Sequence, residues 1–434
     1  MRKKLTPLLS ALVLVSAGAT ADNQTGLESA FTAIEPRVIE WRRDLHANPE
    51  LSNREFRTAD KVAAHLRSLD FDEVATGIAH TGVVGTLRGG KPGPVVALRA
   101  DMDGLPVLEQ TGLSFASKAK GEYMGKEVPV MHACGHDAHV AMLMGAAEVL
   151  AENRELLAGT VKFIFQPAEE GAPPGEEGGA ELMVREGVLE GPDTPEAILG
   201  LHVWPDDAGS LGYRSGSFMA ASDGIEIKVT GRQTHGSSPW LGVDPIYVSG
   251  QILAALQGIP GRHIDITKGP AVVTIGSIQG GVRGNIIPDD VTMLGTVRTF
   301  DMGERERLLE RLEATVTGIA EANGASASFT ITGSNPVTGN HPELLRAMMP
   351  TLVRAAGEDR VFEGNLITGA EDFSYYQEKI PGLFLMLGVG DPAVPREQRP
   401  SNHSPFFTAQ EDALIVGVRT LVGFALEYPG SNAL

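Results

Sequence analysis

The chain has 434 residues, of which 42% are hydrophobic, and a formal net charge of −19. This apolar content is ordinary for a globular protein. The chain is longer than a typical domain with a single hydrophobic core, so we expect two domains. The acidic balance argues against nucleic acid and anionic membranes as partners. It also means that a negatively charged ligand would need a local cationic pocket.

The first 21 residues follow the layout of a secretory signal peptide. Basic residues at 2–4 precede an apolar run at 8–15, and small residues at 19–21 resemble a cleavage site. The apolar run is too short to cross a bilayer. We therefore expect cleavage after Ala21 and a secreted or periplasmic protein; a buried N-terminal helix is the alternative.

From residue 23 to about 212, helical patterns alternate with strand-length apolar runs. The helical patterns cover 36–45, 55–69 and 138–153, and the strand-length runs cover 81–87, 94–99, 161–165 and 197–201. This alternation predicts an α/β sheet, in which ligands gather beyond the carboxyl ends of the strands.

The pattern changes after residue 214. The predicted order is strand 225–230, helix 243–256, strands 272–278 and 291–299, helix 304–322 and strand 327–332, followed by helix 343–356 and strand 383–387. The first six elements make a compact α+β insert at 215–332. The main α/β domain is therefore predicted in two parts, 22–214 and 333–434, after a leader at 1–21.

Chemistry-bearing residues cluster around HACGHDAH, where Cys134 precedes His136 by two positions. Cys134 is the only cysteine, so it belongs to no intramolecular disulfide. A thiolate and an imidazole aimed at one point suit a transition metal, although this spacing alone is a weak signal.

Further donors follow the predicted strands of the main domain. Glu169 and Glu170 follow 161–165, His202 follows 197–201, and His403 comes after the last strand. Adjacent glutamates are usually a solvated pair, but their opposite directions would let one hold metal while the other moves protons. Five donors exceed one tetrahedral zinc site and suit two metals with a bridging ligand.

Nine segments resemble, in order, those of the co-catalytic metallopeptidase family of hippurate hydrolases, aminoacylases and indole-acetyl-amino-acid hydrolases. They are RRDLHANPELS (42–52), LRADMDGLPV (98–107), HACGHDAHVAMLMGAA (132–147), QPAEEG (166–171), LHVWP (201–205), GRQTHGSSP (231–239), GNIIPD (284–289), GTVRTF (295–300) and GAEDFSYY (369–376). The resemblance implies a zinc-peptidase-like α/β/α catalytic domain with two divalent metals. It also implies an inserted ferredoxin-like α+β domain that dimerises and helps to close the site.

Carried over by position, the resemblance assigns roles to ten residues. Metal ligands would be Cys134 (the bridge), His136, Glu170, His202 and His403. Glu169 would be the general base and then the general acid, and Asp103 would orient a ligand histidine. In the insert, His235 resembles an oxyanion-stabilising histidine, and Asn285 with Arg298 resembles the pair that holds the substrate carboxylate.

Two features depart from the family pattern. Asn53 replaces the aromatic residue usual after PELS, and the loop GAPPGEEGG at 171–179 is longer than the usual link. The loop follows the two glutamates directly, so these departures concern substrate choice and not catalysis.

The resemblance implies a metal-dependent amidohydrolase that cleaves N-acyl or N-aroyl amino acids with a water activated by two metals, which could be Zn, Mn, Ni or Co. The expected partners are a small acyl-amino acid or short peptide and a second copy of the chain, with no nucleic acid and no membrane span. Two alternatives remain. One is a periplasmic metallo-carboxypeptidase or dipeptidase, and the other is a non-catalytic binding protein on the same fold.

Overall fold

A computed structural model describes residues 11–433, with side chains from Thr25 onward. The chain divides into two compact units. Unit 1 comprises the residues up to Gly212, Arg346–Phe362 and those from Leu385 on; unit 2 comprises Tyr213–Leu345 and Glu363–Phe384. Unit 2 contains the predicted insert at 215–332. It extends beyond the insert at both ends and includes a second segment that was not predicted to belong to it.

Ten α-helices and eighteen strands make up the described part of the chain. The helices are α1 (Ala11–Ala47), α2 (Phe56–Ser68), α3 (His136–Glu152), α4 (Gly179–Arg185), α5 (Pro245–Leu256), α6 (Ile259–His263), α7 (Met302–Ala322), α8 (Pro342–Ala356), α9 (Ser374–Gln377) and α10 (Leu414–Glu427). The strands are β1 (Glu73–Ile78), β2 (Gly82–Arg88), β3 (Lys91–Asp101), β4 (Lys120–Tyr123), β5 (Lys126–Pro129), β6 (Ala158–Gln166), β7 (Ala197–Asp207), β8 (Leu211–Tyr213), β9 (Gly216–Met219), β10 (Ala221–Thr230), β11 (Thr234–His235), β12 (Val272–Gln279), β13 (Ile286–Ile287), β14 (Asp290–Thr299), β15 (Ser326–Asn335), β16 (Thr338–Asn340), β17 (Val361–Glu363) and β18 (Gly382–Gly390).

Unit 1 is built on an eight-stranded sheet in the order β1-β2-β6-β3-β7-β18-β8-β17. The centre is parallel (β6, β3 and β7), whereas β1, β2 and β8 pair antiparallel, so the sheet is mixed. The central strands are buried along most of their length, as expected for strands covered on both faces. Helix α3 is buried from His136 to Leu150 and packs against α1, α10 and β3.

Unit 2 contains an antiparallel sheet in the order β12-β14-β10-β15, covered by α5 and α7. Strand β10 alternates between buried and less buried residues, which is typical of a sheet with one face on a core. Residues of β10 such as Ile227 share that core with Leu308, Leu312 and Val316 of α7. The strand–helix–strand–strand–helix–strand order and this strand pairing make the unit ferredoxin-like, as predicted.

Several elements differ from the sequence prediction or are absent from it, among them the buried helix α10 (Leu414–Glu427). Strand β7 continues to Asp207, so His202 lies inside a strand and not after it. Strands β4 and β5 form a hairpin where no element was predicted, because its residues are polar and largely exposed and lack a buried face. Helix α1 begins at Ala11 and not near residue 36.

Residues 1–10 of the predicted leader lie outside the described residues, and residues 11–21 belong to the backbone of α1. Within the described chain, no helix combines the length and the apolar character needed to cross a membrane.

Candidate metal centre

The turn before α3 sets the positions of Cys134 and His136. Gly135 between them has a φ of 95°, in the left-handed region that favours glycine. A Cβ at this position would lie 2.3 Å from Cγ2 of Val203 in β7. The tight packing of this turn against β7 therefore depends on glycine, and it brings the thiol beside the histidine of that strand.

The five predicted ligands converge in unit 1 as two clusters that share one atom. Donor atoms of Cys134, His136 and His202 all lie within 4.8 Å of one another, and the same holds for Cys134, Glu170 and His403. The Cys134 sulfur lies 3.4 Å from Nε2 of His202, and Glu170 Oε1 lies 3.0 Å from Nε2 of His403. A sulfur common to both clusters is the arrangement that a bridging ligand requires.

Glu169 stands beside these clusters. It forms a third group with His136 and Glu170 in which the donor atoms lie within 4.8 Å, and its Oε2 is 3.8 Å from Nε2 of His136. The Glu169 side chain is only 9% exposed, so its carboxylate is largely shielded from solvent. The structure thus brings the predicted proton carrier to the predicted ligands.

Asp103 joins the loop that carries the two glutamates to α3. Its carboxylate accepts hydrogen bonds from the backbone N–H groups of Glu169 and Glu170, both at 3.1 Å. The His136 ring and the Ser52 hydroxyl donate to it at 3.2 and 2.8 Å. A single buried aspartate therefore positions both glutamates and one histidine, which suits the orienting role predicted for it.

The ring nitrogens that face the clusters are the ones left available for metal. Nδ1 of His136 donates to Asp103, and Nδ1 of His202 donates to the Val203 carbonyl at 2.8 Å. In its neutral form each ring would therefore present Nε2 to a metal, with the tautomer inferred from its partner. Nε2 of His136 is buried and has no hydrogen-bond partner among the described residues. This buried nitrogen without a hydrogen-bond partner fits a bound cation. A thiol, imidazoles and a carboxylate together are donors that suit divalent transition metals.

The electrostatics of the site also suit cations. Burial raises the pKa of the Cys134 thiol well above its usual value, and the nearby Glu170 and Glu169 carboxylates raise it further. Burial lowers the pKa of His136, but Asp101 and Asp103 outweigh it and raise that pKa to about 10. The site therefore concentrates negative charge, which divalent cations would compensate.

Asp101 and His139 lie close to the clusters but have structural partners. Arg99 Nη1 and His139 Nδ1 each lie 2.5 Å from the Asp101 carboxylate. Nε2 of His139 accepts the backbone N–H of Val203 at 2.8 Å, so both ring nitrogens are occupied. Asp101 therefore links β3 to α3 and, through His139, to β7.

Two supporting residues were missed by the sequence analysis. The Asn402 side chain donates to the carbonyl groups of Cys134 and Val203 at 2.9 and 3.1 Å, beside His403, whose φ is 69°. Glu55 is buried and accepts the N–H of Ala168 at 2.9 Å, just before Glu169. Asn402 adjoins the predicted ligand His403, which was the one available signal for it, whereas Glu55 lies far in sequence from every predicted ligand.

The three predicted substrate residues of the insert all lie in unit 2. His235 pairs with Ile286 in the short β11–β13 ladder, and the Gly236 N–H donates to the Asn285 carbonyl at 2.9 Å, so these two segments are neighbours. His235 and Asn285 are exposed, and Arg298 in β14 is half-buried.

Burial lowers the pKa of Arg298. Across the described residues, no carboxylate lies within 4.0 Å of its guanidinium, which leaves Arg298 able to bind one from a ligand.

An α/β domain with two donor clusters and a ferredoxin-like insert defines a class of metal-dependent hydrolase. The model of Peptidase family M20/M25/M40 matches residues 97–427, and the chain belongs to this family.

Similar proteins include both peptidases and deacylases. Thermostable carboxypeptidase 2 of Saccharolobus solfataricus is 39% identical over 93% of this chain and 98% of its own length. N-acetylcysteine deacetylase of Bacillus subtilis is 39% identical over 89% of this chain and 95% of its own length. Among solved structures, Bacillus subtilis YXEP protein, described as a dinuclear metal binding peptidase, has a TM-score of 0.75 at 37% identity, covering 91% and 98% of the two chains.

The chain is therefore a metal-dependent amidohydrolase or peptidase of the M20 family, as the sequence motifs predicted. The non-catalytic alternative is set aside.

Proposed function

We propose that the protein hydrolyses the amide bond of N-acyl or N-aroyl amino acids with a free carboxylate. The observation that carries the proposal is the Cys134 sulfur shared by two donor clusters, with Glu169 beside them. The deacetylase among its relatives supports an acyl-amino acid as substrate.

Metal ions held by Cys134, His136, Glu170, His202 and His403 would supply Lewis acidity that lowers the pKa of water and polarises the substrate carbonyl. Glu169 takes the proton of the attacking water and passes it to the leaving nitrogen. Asp103 keeps Glu169 in place through the backbone hydrogen bond at 3.1 Å.

The insert would recognise the substrate. His235 donates a hydrogen bond to the developing oxyanion. Arg298, whose guanidinium lacks a carboxylate partner in the described chain, binds the substrate carboxylate together with Asn285.

The test is activity of the metal-stripped protein re-supplied with Zn, Mn, Ni or Co in turn, against benzoyl-, acetyl- and aminoacyl-amino acids. We expect turnover of benzoyl or acetyl substrates with at least one metal. Turnover of aminoacyl substrates alone would instead support the carboxypeptidase or dipeptidase alternative, which the carboxypeptidase among the relatives favours.

A homodimer through the insert is part of the proposal. Unit 2 exposes large apolar side chains, namely Trp240, Leu241, Ile246, Tyr247 and Val282. A Cβ on Gly281 would lie 3.6 Å from Ile246 Cδ1, so the start of α5 and the 281–282 segment adjoin. We expect a dimer by light scattering and a monomer after Trp240→Glu with Val282→Glu; a monomeric wild type would contradict this.

We also propose export with cleavage after Ala21. Helix α1 runs through this position, so cleavage would leave a shorter helix that begins near Asp22. Mass spectrometry of the mature protein should find Asp22 as its first residue, and an intact N-terminus in the exported protein would refute the cleavage.

A further inference from the structure

Unit 1 has a cavity of about 100 Å³ beside the Glu170 ligand. Its lining comes from residues within 51–54, 104–106, 122–124 and 170–173. One lining residue is Ser52, whose hydroxyl donates to Asp103. We propose that this cavity receives the acyl group of the substrate and selects neutral, apolar groups up to one aromatic ring. This inference rests on the proposed function and names its acyl specificity.

The walls of the cavity are mostly apolar. They include Leu51, Leu105, Pro106, Tyr123, Met124 and Pro173. Tyr123 and Met124 are 41% and 71% exposed, so these two neighbours present apolar surface to solvent instead of a core. Adjacent exposed apolar groups that flank a catalytic centre are suited to bind an apolar ligand.

The backbone conformation at Met124 is one that disfavours methionine. Met124 and Gly125 form the two-residue turn between β4 and β5, with φ values of 52° and 72°. Turns with positive φ at both positions favour Asn-Gly, because a longer side chain is disfavoured in the left-handed region. The chain therefore places a large, flexible apolar side chain where the turn itself favours asparagine.

Charges at the cavity disfavour an anionic acyl group. Arg54 is the cation of the lining, and its guanidinium is paired with Glu176 at 2.5 Å. Glu122 contributes a further carboxylate to the lining. With Arg54 paired to Glu176, the lining offers no free cation for an anionic acyl group, and Glu122 opposes one, so a neutral acyl group is preferred to a dicarboxylic one.

The two departures from the family pattern meet at this cavity. The Asn53 side chain donates to Glu176 at 3.1 Å and to the Glu177 carbonyl at 3.0 Å, which anchors the loop 171–179. Pro173 of the same loop is part of the cavity wall. The long loop and Asn53 thus act together to set the size of the cavity.

The volume limits the length of the acyl group. An engineered apolar cavity of about 150 Å³ holds benzene. A cavity of about 100 Å³ is smaller, so it takes acetyl readily and takes benzoyl only by movement of its exposed wall at Met124, and it excludes a long alkyl chain.

The test compares N-acetyl-, N-benzoyl-, N-decanoyl- and glycyl-methionine as substrates of the wild type, Met124→Asn and Ile266→Asn. Asparagine suits the turn, so Met124→Asn should fold. We expect its ratio of benzoyl to acetyl kcat/KM to fall about tenfold, as for loss of one apolar contact in a pocket. Ile266, also 71% exposed but outside the cavity lining, serves as the matched control and should leave the ratio unchanged.

An unchanged ratio in Met124→Asn would overturn the inference, as would efficient wild-type turnover of the decanoyl substrate. A preference for glycyl-methionine that disappears in Glu122→Gln would also overturn it, since the cavity would then bind an ammonium group.

A second measurement does not depend on turnover. Benzamide is titrated into wild-type protein with ¹³C-labelled methionine methyl groups, and the Met124 signal is assigned by its loss in Met124→Asn. A saturable shift of that signal supports the cavity even if no acyl-amino acid is hydrolysed, in which case the proposed function alone fails. Absence of a shift overturns the cavity assignment, whatever the turnover.

Discussion

At the scale of single residues, Asp103 has the largest organising role in the site. Its carboxylate accepts four hydrogen bonds, from Ser52, His136, Glu169 and Glu170. Neither glutamate could shift without breaking one of them. The positions of the proposed proton carrier and of a proposed metal ligand are therefore coupled through one side chain.

The variant Glu169→Gln should separate metal binding from catalysis. The amide that replaces the carboxylate cannot take up a proton, so we expect kcat to fall by roughly 10²–10⁴-fold with metal content unchanged. Steady-state kinetics and elemental analysis give the two readouts. Glu181→Gln, at an exposed position on α4, is the control. Near wild-type turnover in the Glu169 variant would refute the assigned role.

Gly135→Ala should damage the site through the backbone. The φ of 95° and the 2.3 Å approach to Val203 predict a loss of at least about 1–3 kcal/mol in unfolding free energy, with weaker metal binding. Gly250→Ala in α5 meets nothing within 4 Å and should be neutral or stabilising by about 0.4–1 kcal/mol. Urea titration and metal analysis measure both, and equal stability of the two variants would contradict the argument.

At the scale of elements, the packing of α1, α2 and α3 buries His65. Its Nε2 donates to the Met144 carbonyl of α3 at 3.1 Å, and its ring packs edge-on against Trp41 of α1. Burial lowers the pKa of His65 to about 4, with Arg37 and Lys61 nearby adding to the effect. The carboxylate of Glu148 is 4.0 Å away.

This histidine makes stability depend on pH. The unfolded state binds the proton more strongly, so folding stability falls as pH drops from about 6.5 to about 4. His65→Gln keeps a donor and removes the titration. The free energy of unfolding of the wild type, relative to that of the variant, should fall by roughly 3 kcal/mol between pH 7 and pH 4. Urea unfolding at the two pH values measures both proteins. A difference independent of pH would rule this out.

Most long elements with a buried face were predicted from the sequence, but α10, which buries eight residues, was not. Helix α7 was expected from residue 304 to 322 and is found at Met302–Ala322, because its apolar stripe at Leu308, Leu312 and Val316 has helical spacing. The β4–β5 hairpin was missed because it is small and exposed. Since that hairpin lines the cavity, the acyl specificity proposed for it could not be predicted from the motifs.

At the scale of the whole molecule, the convergence of the ligands was predicted from strand ends, and it holds even for His202, which lies within β7. The sequence could not supply the supporting contacts. The hydrogen bonds of Asn402 to Cys134 and Val203 join segments 268 and 199 positions apart, and no local pattern signals such a contact.

Metal removal should affect the two units unequally, because all five proposed ligands lie in unit 1. Metal at 100–1,000 times its Kd would stabilise that unit by about 3 to 4 kcal/mol. Calorimetry of chelated and reloaded protein should show one transition that moves and another that stays. A uniform shift of a single transition would show that the units unfold together.

The lone thiol has a practical consequence. Cys134 is 6% exposed and is the only sulfhydryl group in the chain, so a reagent specific for thiols reports on this one atom. A bound cation would shield it, and labelling would then count empty centres directly, molecule by molecule, with no background from elsewhere.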